Sequence, residues 1–271
     1  MGLVYAIANQ KGGVGKTTTV VNLAAYFGAR GKRVLCIDID PQGNTTTGLG
    51  IKKRSLTASS YHVLNGSAKI ADVIQQTEYE NVLIVPARDE LAGCELELSQ
   101  MEYRATRLRM QLLTCKADYD YIFIDCPPAL GLLTLNGLAA ADEIIVPMTA
   151  EFYALEGLSQ LMTTMKAVRA NLNPSLKIAG ILFVMFDPRL NVSRQVEEEV
   201  AKYFPNQIFR TKIPRNVRLS EAPSYGKPVM YYDKNSKGAE AYAELGMELL
   251  GETPPPKEKK RFQLFHRKNK N

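Results

Sequence analysis

The feature that most restricts the fold of this chain is a glycine-rich segment, "NQKGGVGKTT" at residues 9–18. It follows the apolar run "LVYAIAN", which predicts a buried strand, and it leads into "KTTTVVNLAAYF", which predicts a helix. A glycine-rich loop between a strand and a helix places backbone N–H groups around a phosphate. The chain is therefore predicted to contain a parallel sheet with a phosphate-binding loop after its first strand.

The loop supplies the chemical groups that a bound nucleotide requires. Lys16 can reach the β- and γ-phosphates as a point charge, and the hydroxyl of Thr17 can ligate Mg²⁺. Backbone N–H groups are free to turn inwards because three loop positions lack a side chain, namely Gly12, Gly13 and Gly15. The loop therefore predicts binding of a nucleoside triphosphate together with Mg²⁺.

One position of the loop departs from the ordinary pattern. The sequence G-x-x-x-x-G-K-[ST] would have its first glycine at position 10, but Gln10 stands there and a second lysine, Lys11, follows it. An additional cation helps at developing phosphate charge only if it approaches from a side that Lys16 leaves free. The loop pattern by itself leaves the role of Lys11 open.

The rest of the chain alternates between apolar runs and helical patterns. The runs are continuous, as is typical of strands buried on both faces: "RVLCIDI", "NVLIVPA", "YIFID", "EIIVPM" and "KIAGILFVMF". The longer helical patterns end at Gly31, before Pro174, before Pro205 and near Gly251. This order predicts a single α/β P-loop NTPase domain, residues 1–251, whose mostly parallel, twisted sheet carries helices on both faces.

Three aspartates are predicted to lie beside the phosphate loop. Asp38 and Asp40, in "CIDIDPQGN", are two residues apart and would share one face of an extended strand. Asp125 ends the apolar run "YIFID", the usual setting of an aspartate near Mg²⁺. Because ligands bind beyond the carboxyl ends of parallel strands, we expect these carboxylates to orient an attacking water or to hold the shell of the metal ion.

The formal net charge of +6 is unevenly distributed along the chain. Residues 252–271 carry seven Lys/Arg and two Glu, a net of +5, so the other 251 residues carry +1. The triple proline and the charge of this segment predict a basic, disordered C-terminal tail. Residues 207–237 form a second basic zone, with seven Lys/Arg and two acids. Because Lys and Arg contacts with phosphate supply most non-specific DNA affinity, this zone is a candidate DNA-binding surface.

The cysteines and the apolar runs argue against several classes of protein. The four cysteines are scattered without a C-x-x-C pair, which disfavours a zinc site or a disulfide framework and predicts buried thiols in a reducing compartment. No apolar run is long enough to span a bilayer, and the N-terminus lacks the basic region and cleavage site of a signal peptide. We therefore expect a cytoplasmic protein.

Four segments in combination closely resemble the ParA/Soj branch of the ParA/MinD ATPases, and the resemblance covers residues 1–251. They are "KGGVGKTT", "DIDPQGNTT", "FIDCPPALG" and "IPRNVRLSEAPSYGKPV". The early lysine of the loop, called a deviant Walker A, defines that superfamily, and here it is Lys11. The resemblance implies that Lys11 crosses an ATP-sandwiched dimer interface to the partner's nucleotide, while Lys16 serves its own ATP.

The resemblance also implies roles for individual residues. Asp40 would position the hydrolytic water with support from Asp38, and Mg²⁺ would be held by Thr17 and, through water, by Asp125. Contacts with ATP or ADP are implied for Lys11, Gly12, Gly13, Val14, Gly15, Lys16, Thr17 and Thr18 at the phosphates and for Pro214 and Asn216 at the adenine. DNA contacts are implied for Arg189 and Arg218, and further for Lys202, Lys227 and Lys237.

The function implied by the resemblance is chromosome or plasmid partitioning. An ATP-bound homodimer would bind double-stranded DNA non-specifically on the nucleoid. Its weak, Mg²⁺-dependent ATP hydrolysis would be stimulated by DNA and by a ParB-type centromere-binding partner. The slow hydrolysis would keep the dimer on DNA until the partner triggers release.

Three other functions share the loop. A MinD-like, membrane-cycling regulator of the division site is disfavoured by "DPQGN" and by "PRNVRLSEAPS", and the apolar content of the tail "KKRFQLFHRKNK" is small for a membrane anchor. An iron protein of the nitrogenase type requires two cysteines per subunit for its cluster, and only Cys126 has a suitable position. A bacterial tyrosine kinase would carry a tyrosine-rich tail, whereas no tyrosine lies in residues 252–271.

Overall fold

An eight-stranded sheet forms the centre of the computed structural model, which describes residues 2–252. Its spatial order is β3-β4-β2-β5-β1-β6-β7-β8, and every pairing within this described part is parallel except that of β3 with β4. The strands are β1 (Leu3–Ile7), β2 (Val34–Asp38), β3 (Gln75–Gln76), β4 (Val82–Val85), β5 (Tyr121–Asp125), β6 (Glu143–Thr149), β7 (Lys177–Phe186) and β8 (Ile213–Pro214).

The long strands confirm the expectation from the continuous apolar runs. β1 lies between β5 and β6, and β2 lies between β4 and β5, so these central strands have neighbours on both edges. The sequence analysis missed β3 and β8, which are two residues long each and carry no readable periodicity.

The described residues form twelve α-helices, and four of them match the longer helical patterns. These four are α1 (Lys16–Ala29), α8 (Ala154–Asn171), α9 (Asn191–Tyr203) and α12 (Lys237–Leu249). The others are α2 (Asn44–Gly48), α3 (Ser60–Asn65), α4 (Ile70–Val73), α5 (Cys94–Ser99), α6 (Arg107–Leu112), α7 (Leu132–Ala140), α10 (Val217–Glu221) and α11 (Val229–Tyr232).

Helices cover both faces of the sheet, as the alternation of strands and helices predicts. Along β1, Val4 and Ala6 face one hydrophobic core, which they share with α3 to α9. Tyr5 and Ile7 face the other core, with α1, α11 and α12. The chain is therefore a single α/β domain with a mostly parallel sheet between two layers of helices.

The four cysteines lie inside the protein, in agreement with the sequence analysis. Cys36, Cys94, Cys115 and Cys126 are all buried and unpaired, as expected. From residue 2 to residue 252, none of the helices combines the length and the apolar character that crossing a bilayer requires. The predicted basic tail lies outside the described residues from residue 253 onwards.

The close approach of α1 to the start of β4 generates a stability prediction. A Cβ atom at Gly28 would overlap the backbone carbonyl oxygen of Glu80, and backbone cannot move aside cheaply. We therefore expect Gly28→Ala to lower the free energy of unfolding by roughly 1–3 kcal/mol, measured by urea denaturation. Gly93→Ala is the matched control, because nothing lies within 4 Å of its added Cβ. Equal midpoints for the two variants would contradict this packing.

Candidate functional site

A cavity of about 490 Å³ opens where β1, β2, β7 and β8 end at the carboxyl edge of the sheet. The segments that line it come from widely separated parts of the chain, as is usual for ligand sites of parallel sheets. Nine of the predicted site residues line this cavity: Gly12, Gly13, Gly15, Lys16, Thr17, Thr18, Asp40, Pro214 and Asn216. The other predicted residues of the nucleotide site, namely Lys11, Val14, Asp38 and Asp125, lie behind or beside the lining.

The loop after β1 has the backbone shape that its glycines predict. Gly13 has φ 71° and Gly15 has φ 77°, a left-handed conformation that is unfavourable for residues with a Cβ atom. Gly15 directly precedes α1, and its carbonyl accepts the N–H of Thr19 at 2.9 Å. The first N–H groups of α1 therefore face the cavity, where a phosphate would find both donors and the positive end of the helix dipole. Val14 is buried and anchors the loop.

Lys16 is a nearly buried cation in the wall of the cavity. Its Nζ donates a hydrogen bond to the carbonyl oxygen of Lys11 at 3.1 Å. Burial lowers the pKa of its ammonium group, and the negative charges of Asp125 and Asp40 oppose that change. A cation with so few water neighbours interacts strongly with an anion that enters the cavity.

Asp125 lies directly behind the phosphate loop. One of its carboxylate oxygens, Oδ2, accepts the hydroxyl groups of Thr17 and Thr45, each at 2.7 Å. The other oxygen, Oδ1, is buried without a hydrogen-bond partner. An unpaired buried acceptor is costly, so this oxygen has the capacity for one further donor.

Thr17 and Asp125 fit a Mg²⁺ ion that takes most of its ligands from water and phosphate oxygens. Within residues 2–252 there is no cluster of three or more His, Cys, Asp or Glu side chains that could hold a metal ion by itself. Mg²⁺ usually keeps several waters and takes one or two protein ligands plus phosphate oxygens. The hydroxyl of Thr17 would be a direct ligand, and the unpaired Oδ1 of Asp125 would accept a hydrogen bond from a water of the ion.

Of the two aspartates of "DIDPQ", only Asp40 is among the residues that line the cavity. Asp40 lines the cavity, and its Oδ1 accepts the N–H of Gln42 at 2.9 Å. Asp38 ends β2 inside the sheet and is fully buried. It accepts the N–H of Asp40 at 3.2 Å and both the N–H and the hydroxyl of Thr46, at 2.8 and 2.7 Å. Asp38 therefore holds the backbone that carries Asp40 and does not face the ligand.

Burial gives Asp38 and Asp125 unusual acidity. They are register partners on the neighbouring strands β2 and β5. Burial raises the pKa of Asp38 to about 7, and the charge of Asp125 adds to this effect. Burial also raises the pKa of Asp125 to about 6, although its two hydroxyl donors act in the opposite direction.

The second lysine of the loop points away from the cavity. The Nζ of Lys11 lies 2.5 Å from Oε2 of Glu151 and 3.5 Å from the hydroxyl of Thr149. Lys16 therefore serves the cavity of its own chain, and the side chain of Lys11 lies on another side. Sequence analysis missed Glu151, because nothing in the local pattern after β6 indicates that it meets a lysine 140 positions earlier.

The predicted DNA-contact residues fall into two groups. Three of them form ion pairs in this structure: Arg189 with Asp187 at 2.6 Å, Arg218 with Glu221 at 2.7 Å, and Lys202 with Glu199 at 2.6 Å. Lys227 and Lys237 are exposed and make no ion pair with any residue from 2 to 252.

The basic zone at residues 207–237 has less free positive charge than its sequence suggests. Lys212 pairs with Glu197 at 2.5 Å, and Arg210 pairs with Glu248 at 3.5 Å. Both acids lie outside the zone in sequence and are brought to it by α9 and α12. The net of +5 counted along the chain therefore overstates the charge available to a ligand.

The sequence has close relatives among characterised proteins. A family model described as an AAA domain matches residues 2–178. The sporulation initiation inhibitor protein Soj of Bacillus subtilis is 53% identical over 249 residues, which are 92% of this chain and 98% of that protein. The chromosome partitioning protein ParA of Myxococcus xanthus is 51% identical over 261 residues, which are 96% of this chain and 92% of that protein.

The fold also has close neighbours among solved structures. Cobyrinic acid a,c-diamide synthase from Mycobacterium smegmatis, with bound ADP and magnesium, has a TM-score of 0.81 and 38% identity, covering 92% of this chain and 94% of that one. The septum site-determining protein MinD from Pyrococcus horikoshii, complexed with Mg-ADP, has a TM-score of 0.77 and 28% identity, covering 92% and 96%.

The acidity of Asp38 predicts a pH dependence of stability in the nucleotide-free protein. The pKa of Asp38 is about 7 in the folded chain, above the ordinary value of 3.8 that applies in the unfolded chain. Between these two pH values the folded chain keeps a proton that the unfolded chain has released. Rising pH therefore lowers the free energy of unfolding, by up to about 1.4 kcal/mol per pH unit, until Asp38 ionises in the folded chain as well.

Urea titrations between about pH 5 and pH 8 measure this slope. Asp38→Asn should reduce the slope, whatever its effect on absolute stability, and Asp125, whose pKa is also raised, should account for the slope that remains. The exposed Asp72→Asn should leave the slope unchanged. A slope in Asp38→Asn equal to that of the parent protein would assign the titration to another group.

Proposed function

The chain belongs to the Soj and ParA family of chromosome-partitioning ATPases, and from that membership we propose that it forms an ATP-dependent dimer that binds DNA. The observation that carries the proposal is that the two lysines of the loop lie on different sides of it. Lys16 faces the cavity of its own chain, while Lys11 lies on another side and pairs with Glu151. A second copy that brought its own nucleotide to that side would offer Lys11 a phosphate.

The proposed ligand is ATP with Mg²⁺, converted to ADP and phosphate. The cavity is lined by the phosphate loop and also by Pro214 and Asn216, so a nucleotide bound there would contact both segments. Asn216 caps α10 by accepting the N–H of Arg218, which would hold its side chain in place for a contact with the adenine. The proposal is supported by the structure of cobyrinic acid a,c-diamide synthase from Mycobacterium smegmatis, a structural neighbour that contains bound ADP and magnesium.

Hydrolysis would use Asp40, which lines the cavity close to the phosphate loop. Its carboxylate would hold the attacking water, and the buried Asp38 would keep the Asp40 backbone in place. Lys16 would offset the charge that develops on the transferred phosphoryl group. Bound Mg²⁺ would supply further charge neutralisation at the phosphates, with Thr17 and Asp125 on its side of the site.

Dimer formation would require Lys11 to leave Glu151 and to bind the phosphates of the second subunit's nucleotide. Both Lys11 and Glu151 are partly exposed, at 38% and 56% of their side-chain surface, and such pairs contribute only about 0.2–1 kcal/mol. The phosphates of a second nucleotide carry more charge than one carboxylate and would displace it. The dimer would therefore depend on the nucleotide, and hydrolysis would weaken it.

The dimer would hold DNA through its cations and release it when a partner stimulates hydrolysis. Arg189 and Arg218 would leave their carboxylate partners for phosphates, and Lys202, Lys227 and Lys237 would add contacts. The partner would be a ParB-type centromere-binding protein, and the cargo a chromosome or a plasmid. We assign this activity to residues 1–251 and place the protein on the nucleoid.

Two other functions found among the structural neighbours have weaker support. MinD of Pyrococcus horikoshii is only 28% identical, against 53% for Soj of Bacillus subtilis. The cobyrinic acid a,c-diamide synthase shares 38% identity and is also a nucleotide-binding protein. Neither function is favoured by a specific feature of the site, and the experiment below separates DNA binding from membrane binding.

We expect the protein to be a monomer with Mg-ADP, and Asp40→Ala to be a stable dimer with Mg-ATP, because the variant binds the nucleotide but cannot position water to cleave it. Light scattering measures the mass, and duplex DNA of unrelated sequence is then added at two salt concentrations. Only the dimer should bind DNA, and salt should weaken the binding. Binding to anionic vesicles in place of DNA would favour the membrane-cycling alternative.

The two lysines of the loop should separate nucleotide binding from dimer formation. Lys16→Ala removes a buried cation from the cavity and should weaken ATP binding by roughly 10–100-fold. Lys11→Ala should leave ATP affinity within about twofold, because its side chain does not line the cavity, yet abolish the dimer in the Asp40→Ala background. Lys166→Ala, at an exposed position of α8, is the control. A dimer that forms without Lys11 would refute its proposed role.

A further inference from the structure

A stretch without acids follows Asp40 in the sequence. Residues 41–71 contain no Asp or Glu but four Lys/Arg, and three of these are consecutive at positions 52–54. In the structure they belong to the segment of residues 50–57, "GIKKRSLT", which follows α2 and is here called the basic loop. The sequence analysis did not single it out, because the charge of the chain is dominated by residues 207–237 and by the tail.

The fold does not neutralise the basic loop. Lys52 and Arg54 are exposed, and neither forms an ion pair with any residue between 2 and 252. Arg88 contacts the loop by donating to the carbonyl oxygen of Leu56, and it also holds the nearby carboxylate of Glu90 at 3.2 Å. The loop therefore differs from Arg189 and Arg218, which must each give up a carboxylate before they can contact an anion.

A shallow hollow lies in the surface of the basic loop. It has a volume of about 280 Å³ and no acidic side chain in its lining, which consists of Gly50, Ile51, Lys52, Ser55, Leu56, Thr57 and Gln75. An ammonium, a hydroxyl and an amide are groups that hydrogen-bond to phosphate oxygens.

The basic loop is continuous with a surface that already has a proposed DNA contact. Gly50 packs against Gly226, so closely that a Cβ at Gly226 would lie 3.1 Å from the Cα of Gly50. Tyr79 fixes this contact by donating its hydroxyl to the carbonyl oxygen of Gly226 at 2.6 Å. The exposed Lys227 follows Gly226 directly, so its backbone lies beside the basic loop.

The middle cation of the loop has a different task. Lys53 donates a hydrogen bond from Nζ to the carbonyl oxygen of Gln42. Gln42 lines the nucleotide cavity and its N–H binds Asp40. Lys53 therefore ties the basic loop to the segment that carries Asp40, and it is not available to an external ligand.

We propose that the basic loop is a second contact of each subunit with the DNA backbone, made by Lys52 and Arg54 beside Lys227. The inference rests on the DNA binding proposed above and extends it to a surface outside the residues that the family resemblance implies. The contact is with phosphates and does not select a sequence, because the cations are presented by a short exposed loop with no element that would enter a groove.

The test compares two pairs of substitutions in the Asp40→Ala background with Mg-ATP. Lys52→Ser with Arg54→Ser removes the two proposed contacts. Lys166→Ser with Lys177→Ser removes the same charge from exposed positions in α8 and at the start of β7. Affinity for duplex DNA is measured over a range of salt concentrations, and the mass confirms the dimer.

The expected result is a change in salt dependence that is specific to the loop. Each phosphate contact contributes about 0.9 to the slope of log K against log salt, so the loop pair should reduce the slope by roughly 2 per subunit and the control pair by much less. Equal slopes for the two pairs would overturn this inference and leave the DNA-binding function standing. A parent dimer that does not bind DNA at all would overturn both.

A second measurement needs no substitution in the loop. Lysine acetylation of the parent dimer is followed by mass spectrometry with and without duplex DNA. Lys52 should become protected when DNA is added, and Lys166 should not. Unchanged acetylation of Lys52 in the DNA complex would overturn the proposal, even if the loop variants had failed to form a dimer.

Discussion

Two buried carboxylates and one nearly buried ammonium group, placed where parallel strands end, are the interaction on which the site depends. Asp38 and Asp125 are register partners on the neighbouring strands β2 and β5, and Lys16, in the first turn of α1, interacts electrostatically with Asp125. Such charges are tolerated only with hydrogen-bond donors, which Thr17, Thr45 and Thr46 provide. The sheet and its two helical layers hold these groups in fixed positions. The side chains that line the cavity are attached to the same elements and are therefore held in place as well.

The sequence predicts the sheet and the phosphate loop well, because both have strong local signals. Continuous apolar runs mark the long strands, and the glycines mark the loop. The two-residue strands β3 and β8 and the short helices between α1 and α7 have no such signal, since their positions depend on tertiary contacts. The burial of Asp38 and its hydrogen bond to Thr46 could not be predicted from the sequence either. Alternation along a strand indicates which face of the sheet a side chain lies on, but not how much of the protein covers it.

Charge behaves differently from hydrophobicity in this chain. The excess of cations at residues 207–237 is partly cancelled by Glu197 and Glu248, which other helices bring to it. The basic loop has fewer cations, but Lys52 and Arg54 keep theirs uncancelled. A window of sequence therefore reports the potential of a surface poorly, because folding decides which acids come to lie beside it.

The two lysines of the loop have a joint consequence for ligand selection. The ammonium group of Lys16 rests on the carbonyl oxygen of Lys11, and the ammonium group of Lys11 rests on Glu151. Each cation thus has an acceptor within its own chain, so an anion that binds to either lysine replaces a contact already in place. A small anion with one or two charges gains little from that exchange, whereas a triphosphate gains much more. A loop with this arrangement would favour a triphosphate over inorganic phosphate and nucleoside monophosphates.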